Sequence, residues 1–168
     1  VAFQNQVYIN PAVAIPGDFA SSNPLVYKLA STGKMVADAS GVKVGQFCAL
    51  NADGTVKSVP GSAPSGGLTR IGFVHRENNA QITTFLAESS YTIAPGQPVA
   101  AFGQGDFFIK ADAITGTPAR GAAIVWDVTT GLINVGATPT ATLIDTGYKM
   151  ITETAAAGET IIMSNVNA

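Results

Sequence analysis

One cysteine, one histidine and one tryptophan in 168 residues leave little material for chemistry. Cys48 alone closes no internal disulfide, so no cysteine framework holds this fold, and a reducing compartment suits it. Charge is equally scarce. Only 12% of the residues are charged, about half the usual share, so the surface must be neutral rather than ionic. Nine basic against eleven acidic residues give a net charge of −2, and Lys and Arg are scattered. That excludes the electrostatic footprint of a nucleic-acid binder. The longest apolar runs, such as Ala122 to Trp126, fall far short of the roughly 18 residues a bilayer demands. A soluble chain without a membrane partner is expected. No basic stretch followed by an apolar one opens the sequence, and Val1 fits removal of an initiator Met, so export is not expected.

Catalytic and metal-binding patterns are thin as well. The one nucleophile and base pair is Cys48 with His75, both on expected strands, where a lone Cys more often serves as a small buried hydrophobe. One His and one Cys cannot complete a tetrahedral zinc set without carboxylates from elsewhere. Asn51-Ala52-Asp53-Gly54 opens like a calcium loop, but the ligand series does not continue and a hairpin turn accounts for it. Glu77, Glu88, Asp106, Asp112 and Asp127 fall mostly at turns or strand ends, with nothing to pair two of them across a cleft. Asp106 to Lys110, DFFIK, offers stacking groups but one cation, and Phe107 or Phe108 reads better as core. No enzyme, catalytic residue, cofactor or metal site is expected.

What the chain does have is a repeated Gly-led unit. GQFCALNADGTVKSV from Gly45, GQPVAAFGQGDFFIK from Gly96 and GAAIVWDVTTGLINV from Gly121 each run Gly, apolar segment, Gly-bearing turn, apolar segment. Asp-Gly between apolar runs is a strong hairpin signal, because Gly tolerates the positive φ of tight turns. The reading gives strands at 44–50 and 55–59, at 71–75 and 80–87, a pair closing at 103–105, another hairpin from 121, and two strands around AAAGE near the end. Residues 59–68, VPGSAPSGGL, read as a flexible surface loop. Only 87–90, 118–123 and 154–157 have room for a turn or two of helix. The units start 51 and then 25 residues apart, too uneven for a propeller or solenoid. The fold expected is all-β, a single small β-barrel or sandwich of about eight to ten short strands spanning residues 33–168.

Residues 1–32 read differently. Pro11, Pro16 and Pro24 exclude a long helix, yet Phe3, Val7, Tyr8, Ile9, Phe19, Leu25 and Tyr27 make the segment too apolar for a solvated tail. It reads as an extended N-terminal arm that packs either on its own barrel or on a neighbouring chain, and in the second case Phe3, Tyr8, Ile9, Phe19 and Tyr27 are the expected anchors.

The start FQNQVYINPAVAIPGDFAS and the central GFVHRE, ITTFLAE and TIAPGQPV, with GAAIVWDVTTGLI later, resemble the structural cement, or capsid decoration, proteins of tailed bacteriophages and their prophage relatives. The resemblance runs from about residue 2 to about 163. It implies a virion structural protein, made in the bacterial host cytoplasm, that binds the outer surface of the capsid and stabilises the shell by bridging neighbouring major-capsid subunits. The implied partners are the major capsid protein and further copies of itself, a homo-dimer on two-fold positions ahead of a trimer on three-fold positions. The competing reading is a receptor- or carbohydrate-binding β module on a virion surface, with Tyr91, Trp126 and Tyr148 stacking on sugar rings.

Overall fold

The computed structural model describes residues 14–28, 34–76 and 91–166. These form fourteen short strands, one 3-10 turn at Gly67–Arg70 and no α-helix. The all-β expectation holds, with more strands than the eight to ten read from sequence. The excess is in two-residue pieces too short to register as apolar periodicity: β1 (Val26–Tyr27), β2 (Val36–Ala37), β3 (Val42–Lys43), β7 (Thr92–Ile93) and β10 (Ala113–Ile114).

The longer strands are β4 (Phe47–Leu50), β5 (Thr55–Lys57), β6 (Ile71–Val74), β8 (Ala101–Gln104), β9 (Asp106–Lys110), β11 (Ala123–Asp127), β12 (Ile133–Val135), β13 (Leu143–Met150) and β14 (Thr160–Ser164). One six-stranded sheet runs β1-β8-β6-β4-β5-β2, a second runs β10-β12-β11-β13-β14-β9, and β3 pairs with β7 in a small third sheet. The two large sheets face each other over a core in which Phe47, Phe73 and Phe102 of the first meet Phe107, Trp126, Tyr148 and Met163 of the second. Each fully buried side chain of this size contributes about 1.5–3 kcal/mol, so this layer dominates the stability.

The first sheet is covered on its other face too. Phe47 and Ala49 point into the inter-sheet core. Cys48 and Leu50 point the opposite way, to a cluster with Val42, Val56, Val74, Ile93 and Ala101 that the small sheet caps. Burial on both faces is why FCAL and IGFV are continuous apolar runs rather than alternating ones.

Of the three Gly-led units, two are hairpins. β4 pairs with β5 around the Asn51–Gly54 turn, and β11 pairs with β12. β13 and β14 likewise pair as read. The middle unit is not the hairpin its pattern suggests. β8 pairs with β6 and β1 in one sheet, while β9 pairs with β14 in the other. The chain changes sheets at Gly105, whose φ of 144° is closed to other residues. A Cβ there would stand 2.5 Å from Leu25 Cδ2. Asn165 holds the corner, its amide donating to Gly103 O at 2.8 Å while its Oδ1 accepts from Gly105 N at 3.0 Å. The second strand of the pair read around 71–87, and the 87–90 turn, lie outside the described residues. The 118–123 and 154–157 stretches hold turns and bridges, not helix, and most of the 61–69 loop is exposed.

Candidate interaction surface

The described part of the proline-bearing segment lies along the body. Residues 17–20 act as an extra edge on β9: Gly17 N donates to Phe108 O, Phe108 N to Asp18 O and Ala20 N to Asp106 O, at 2.7–2.9 Å. The chain then turns and crosses to the first sheet, where β1 pairs antiparallel with β8. One segment thus spans the rims of both sheets.

A carboxylate ties this crossing down. Asp106, the first residue of β9, is 6% exposed. Its Oδ2 accepts from Ser21 Oγ at 2.6 Å and Asn23 Nδ2 at 2.5 Å. Burial by itself pushes this carboxyl up, but the hydrogen bonds from Ser164, Ser21 and Asn23 outweigh it and leave the acid below its ordinary value. It therefore stays ionised and keeps accepting from the crossing segment. Nothing in the sequence marked this role, since an Asp before an apolar strand reads as an ordinary turn acid.

Above the latch is an aromatic seam. Phe19 stacks on His75 with ring centroids 3.8 Å apart and meets Phe102 edge-on at 5.5 Å. Tyr27, the cross-strand partner of Phe102, packs against it with ring centroids 4.2 Å apart. Arg76 and Asp18 form an exposed ion pair at 3.5 Å beside it. Of the expected anchors, Phe19 and Tyr27 are thus gathered around one buried ring, and both reach solvent, Phe19 at 37% and Tyr27 at 59% exposure. Phe3, Tyr8 and Ile9 lie outside the described residues. Sequence reading missed Leu25 and Val26 as surface residues. They precede Tyr27 in the chain, and the three form an exposed apolar edge. Among the described residues β1 ends its sheet with no strand on its outer side. The other end of that sheet differs: β2 is covered by residues 96–99, with Ala37 N donating to Gln97 O and Val99 N to Met35 O.

The possible chemistry read from sequence comes apart here. Cys48 sits opposite Gly72 and faces the outer cluster, fully buried, and burial pushes its thiol up to about 12. His75 stacks on Phe19 and meets Phe102 edge-on at 5.7 Å, both rings linked to the inter-sheet core. The two side chains leave opposite faces of the sheet, so they form no dyad. Asp53 is held by the backbone N–H and hydroxyl of Thr55, Asp127 by Thr129 and Thr130, and Asp112 by Ile133 N. Each carboxylate serves a turn or strand end. Among the described residues no three of His, Cys, Asp and Glu converge as metal ligands. Trp126 and Tyr148, two of the three aromatics offered for sugar stacking, are buried, and only Tyr91 is exposed.

The arrangement is a two-sheet body with an apolar, strand-bearing edge and no catalytic constellation among the described residues. Comparison with known proteins agrees in kind. A chain in the capsid of Myoviridae phage XM1 superposes with a TM-score of 0.65 over 98% of each chain at 15% identity, which establishes a shared fold. No curated protein sequence matches. The family model for the XM1 gp53 minor capsid protein matches residues 3–165, and the chain therefore belongs to that minor capsid protein family.

Proposed function

We propose that this minor capsid protein binds the outer surface of a phage shell as a cement, bridging neighbouring major-capsid subunits and resisting internal pressure. The observation that carries the reading is the exposed edge Leu25-Val26-Tyr27, adjoining Phe19, on a molecule that has no paired catalytic groups among its described residues. An apolar strand edge left open in a soluble domain normally invites pairing, and natural proteins hide it unless it has a use. Residues 1–32 act as the attaching arm, the crossing segment holding its described end fixed against both sheets. A pre-ordered arm loses less entropy on docking than a free one. Many copies, each engaging more than one capsid subunit, gain avidity without any tight single contact. The attached form is a homo-oligomer, a dimer on two-fold positions ahead of a trimer on three-fold ones, because attachment must match the shell's local symmetry.

Co-sedimentation of the purified protein with empty expanded shells, beside unexpanded precursor shells, tests this. Saturable binding to expanded shells alone, at a fixed ratio to capsid subunits, is the expected result, and the ratio separates dimer from trimer. Absence of binding to either shell would overturn the cement role.

A further inference from the structure

A second surface feature lies apart from the apolar edge. Between the small third sheet and the far end of β9 is an open cleft of about 610 Å³, lined among the described residues by Pro16, Lys43, Val44, Gln46, Tyr91, Lys110 and Asp112. That volume falls within the range of about 300–1,000 Å³ typical of ligand sites. Its walls are fixed by backbone. Lys43 pairs with Thr92, and Val44 N donates to Tyr91 O at 2.8 Å. Pro16 is pressed against the turn at Gly45, where a Cβ would stand 3.0 Å from the Pro16 carbonyl.

The charge of the described lining is opposite to that of the chain. Lys43 is exposed and makes no ion pair among the described residues. Lys110 is only loosely paired, at 3.7 Å from Asp112 Oδ1, while Asp112 Oδ2 accepts from Ile133 N. Among the described lining residues two ammonium groups stand against one carboxylate, an excess of one positive charge in a protein of net charge −2. Tyr91, Val44 and Pro16 supply apolar contact between these polar points.

From this combination we infer that the cleft is a peptide-binding site that takes an extended acidic segment, its carboxylates on Lys43 and Lys110 and its apolar side chains on Tyr91 and Pro16. The inference rests on the proposed shell attachment only for the origin of that segment, a neighbouring capsid chain. An isolated-protein measurement keeps the two apart. ¹⁵N-labelled full chain is titrated with the blocked peptide Glu-Leu-Glu-Phe-Glu, with its Gln-for-Glu counterpart, and with an uncharged linear hexasaccharide. The expected result is saturable shifts of the Lys43, Gln46, Tyr91, Thr92 and Lys110 amides with the acidic peptide. They weaken about tenfold in the Lys43→Glu/Lys110→Glu variant, from two reversed exposed charges, and persist in Lys43→Arg/Lys110→Arg. Absence of saturable shifts there, equal shifts with the Gln peptide, or shifts with the hexasaccharide alone would overturn it, the last in favour of sugar binding, whatever the shells do.

Discussion

The Ser21 hydroxyl donates to the buried carboxylate of Asp106 at 2.6 Å, joining residues 85 apart in the chain and fastening the crossing segment to the second sheet. A hydrogen bond to a charged acceptor contributes about 1.5–3 kcal/mol, and Asn23 and Ser164 share the same carboxylate. Asp106→Ala should therefore lower the unfolding free energy by about 2–4 kcal/mol in urea titration. Ser21 is itself exposed, so Ser21→Ala should cost less, about 1 kcal/mol.

The same latch sets an acid response. The folded acid lies below its ordinary value, so ionised Asp106 adds stability in full above the unfolded carboxyl's range near pH 4, and the contribution disappears as pH falls through the folded value. Asp53 and Asp127 are lowered as well and act in the same direction. The Asp106-specific part is isolated by comparing parent and Asp106→Asn across pH 2–7. Their stability gap should be constant at neutral pH and close toward acid. A gap unchanged at pH 2 would show that the carboxylate charge does not hold the segment.

Cys48 gives an alkaline counterpart. Its thiol is pushed up to about 12, so the unfolded chain ionises first and stability should fall as pH rises beyond the ordinary thiol value of 9.0, by up to about 1.4 kcal/mol per pH unit. Burial raises Tyr148 too, adding to the loss at higher pH. In Cys48→Ala the first part of that slope should vanish. An aromatic disulfide reagent at pH 8 should label the native protein only at its unfolding rate. Fast labelling would contradict the burial.

The sheet assignment illustrates what sequence made legible and what it did not. Asn51–Gly54 between apolar runs announced the β4–β5 hairpin because turn chemistry and strand pairing are both local there. Around Gly105 the same local signals were present, yet β8 and β9 belong to different sheets. Their partners, β6 and β14, lie far away in the chain, and no local pattern encodes which partner wins. That the proline-bearing segment packs on something was legible, because an apolar stretch without helical period has to dock, and Phe19 and Tyr27 lie against Phe102. Asp106 and Lys43 were not, since a buried latch and a cleft-lining cation look like any isolated charge until distant segments meet.

Gly105→Ala tests that crossing. The variant would combine a φ of 144° with a Cβ 2.5 Å from Leu25 Cδ2 and 3.0 Å from the Phe107 ring. Backbone strain alone costs about 1–3 kcal/mol, and the contacts force Leu25 or Phe107 to move. A loss of about 2–5 kcal/mol is expected, with altered NMR shifts for Leu25 and Asn165. A change under 0.5 kcal/mol, roughly that of a neutral surface site, would mean the corner is not tightly held.

Phe19 and Tyr27 separate stability from attachment. Phe19 stacks on His75 and bridges to Phe107, so Phe19→Ala removes packing that the isolated protein already uses and should cost about 1–3 kcal/mol. Tyr27 is 59% exposed and its ring leans on Phe102 from outside, so Tyr27→Ser should cost about 1 kcal/mol or less. If the β1 edge meets the shell, the order reverses in the co-sedimentation assay. Tyr27→Ser should then weaken binding to expanded shells by about tenfold or more, as truncation of a buried interfacial aromatic does, with the thermal midpoint almost unmoved. Unchanged binding by both Tyr27→Ser and Val26→Ser would place the contact elsewhere on the molecule. Weakened binding in step with lost stability would show only that the fold, and not this edge, is needed.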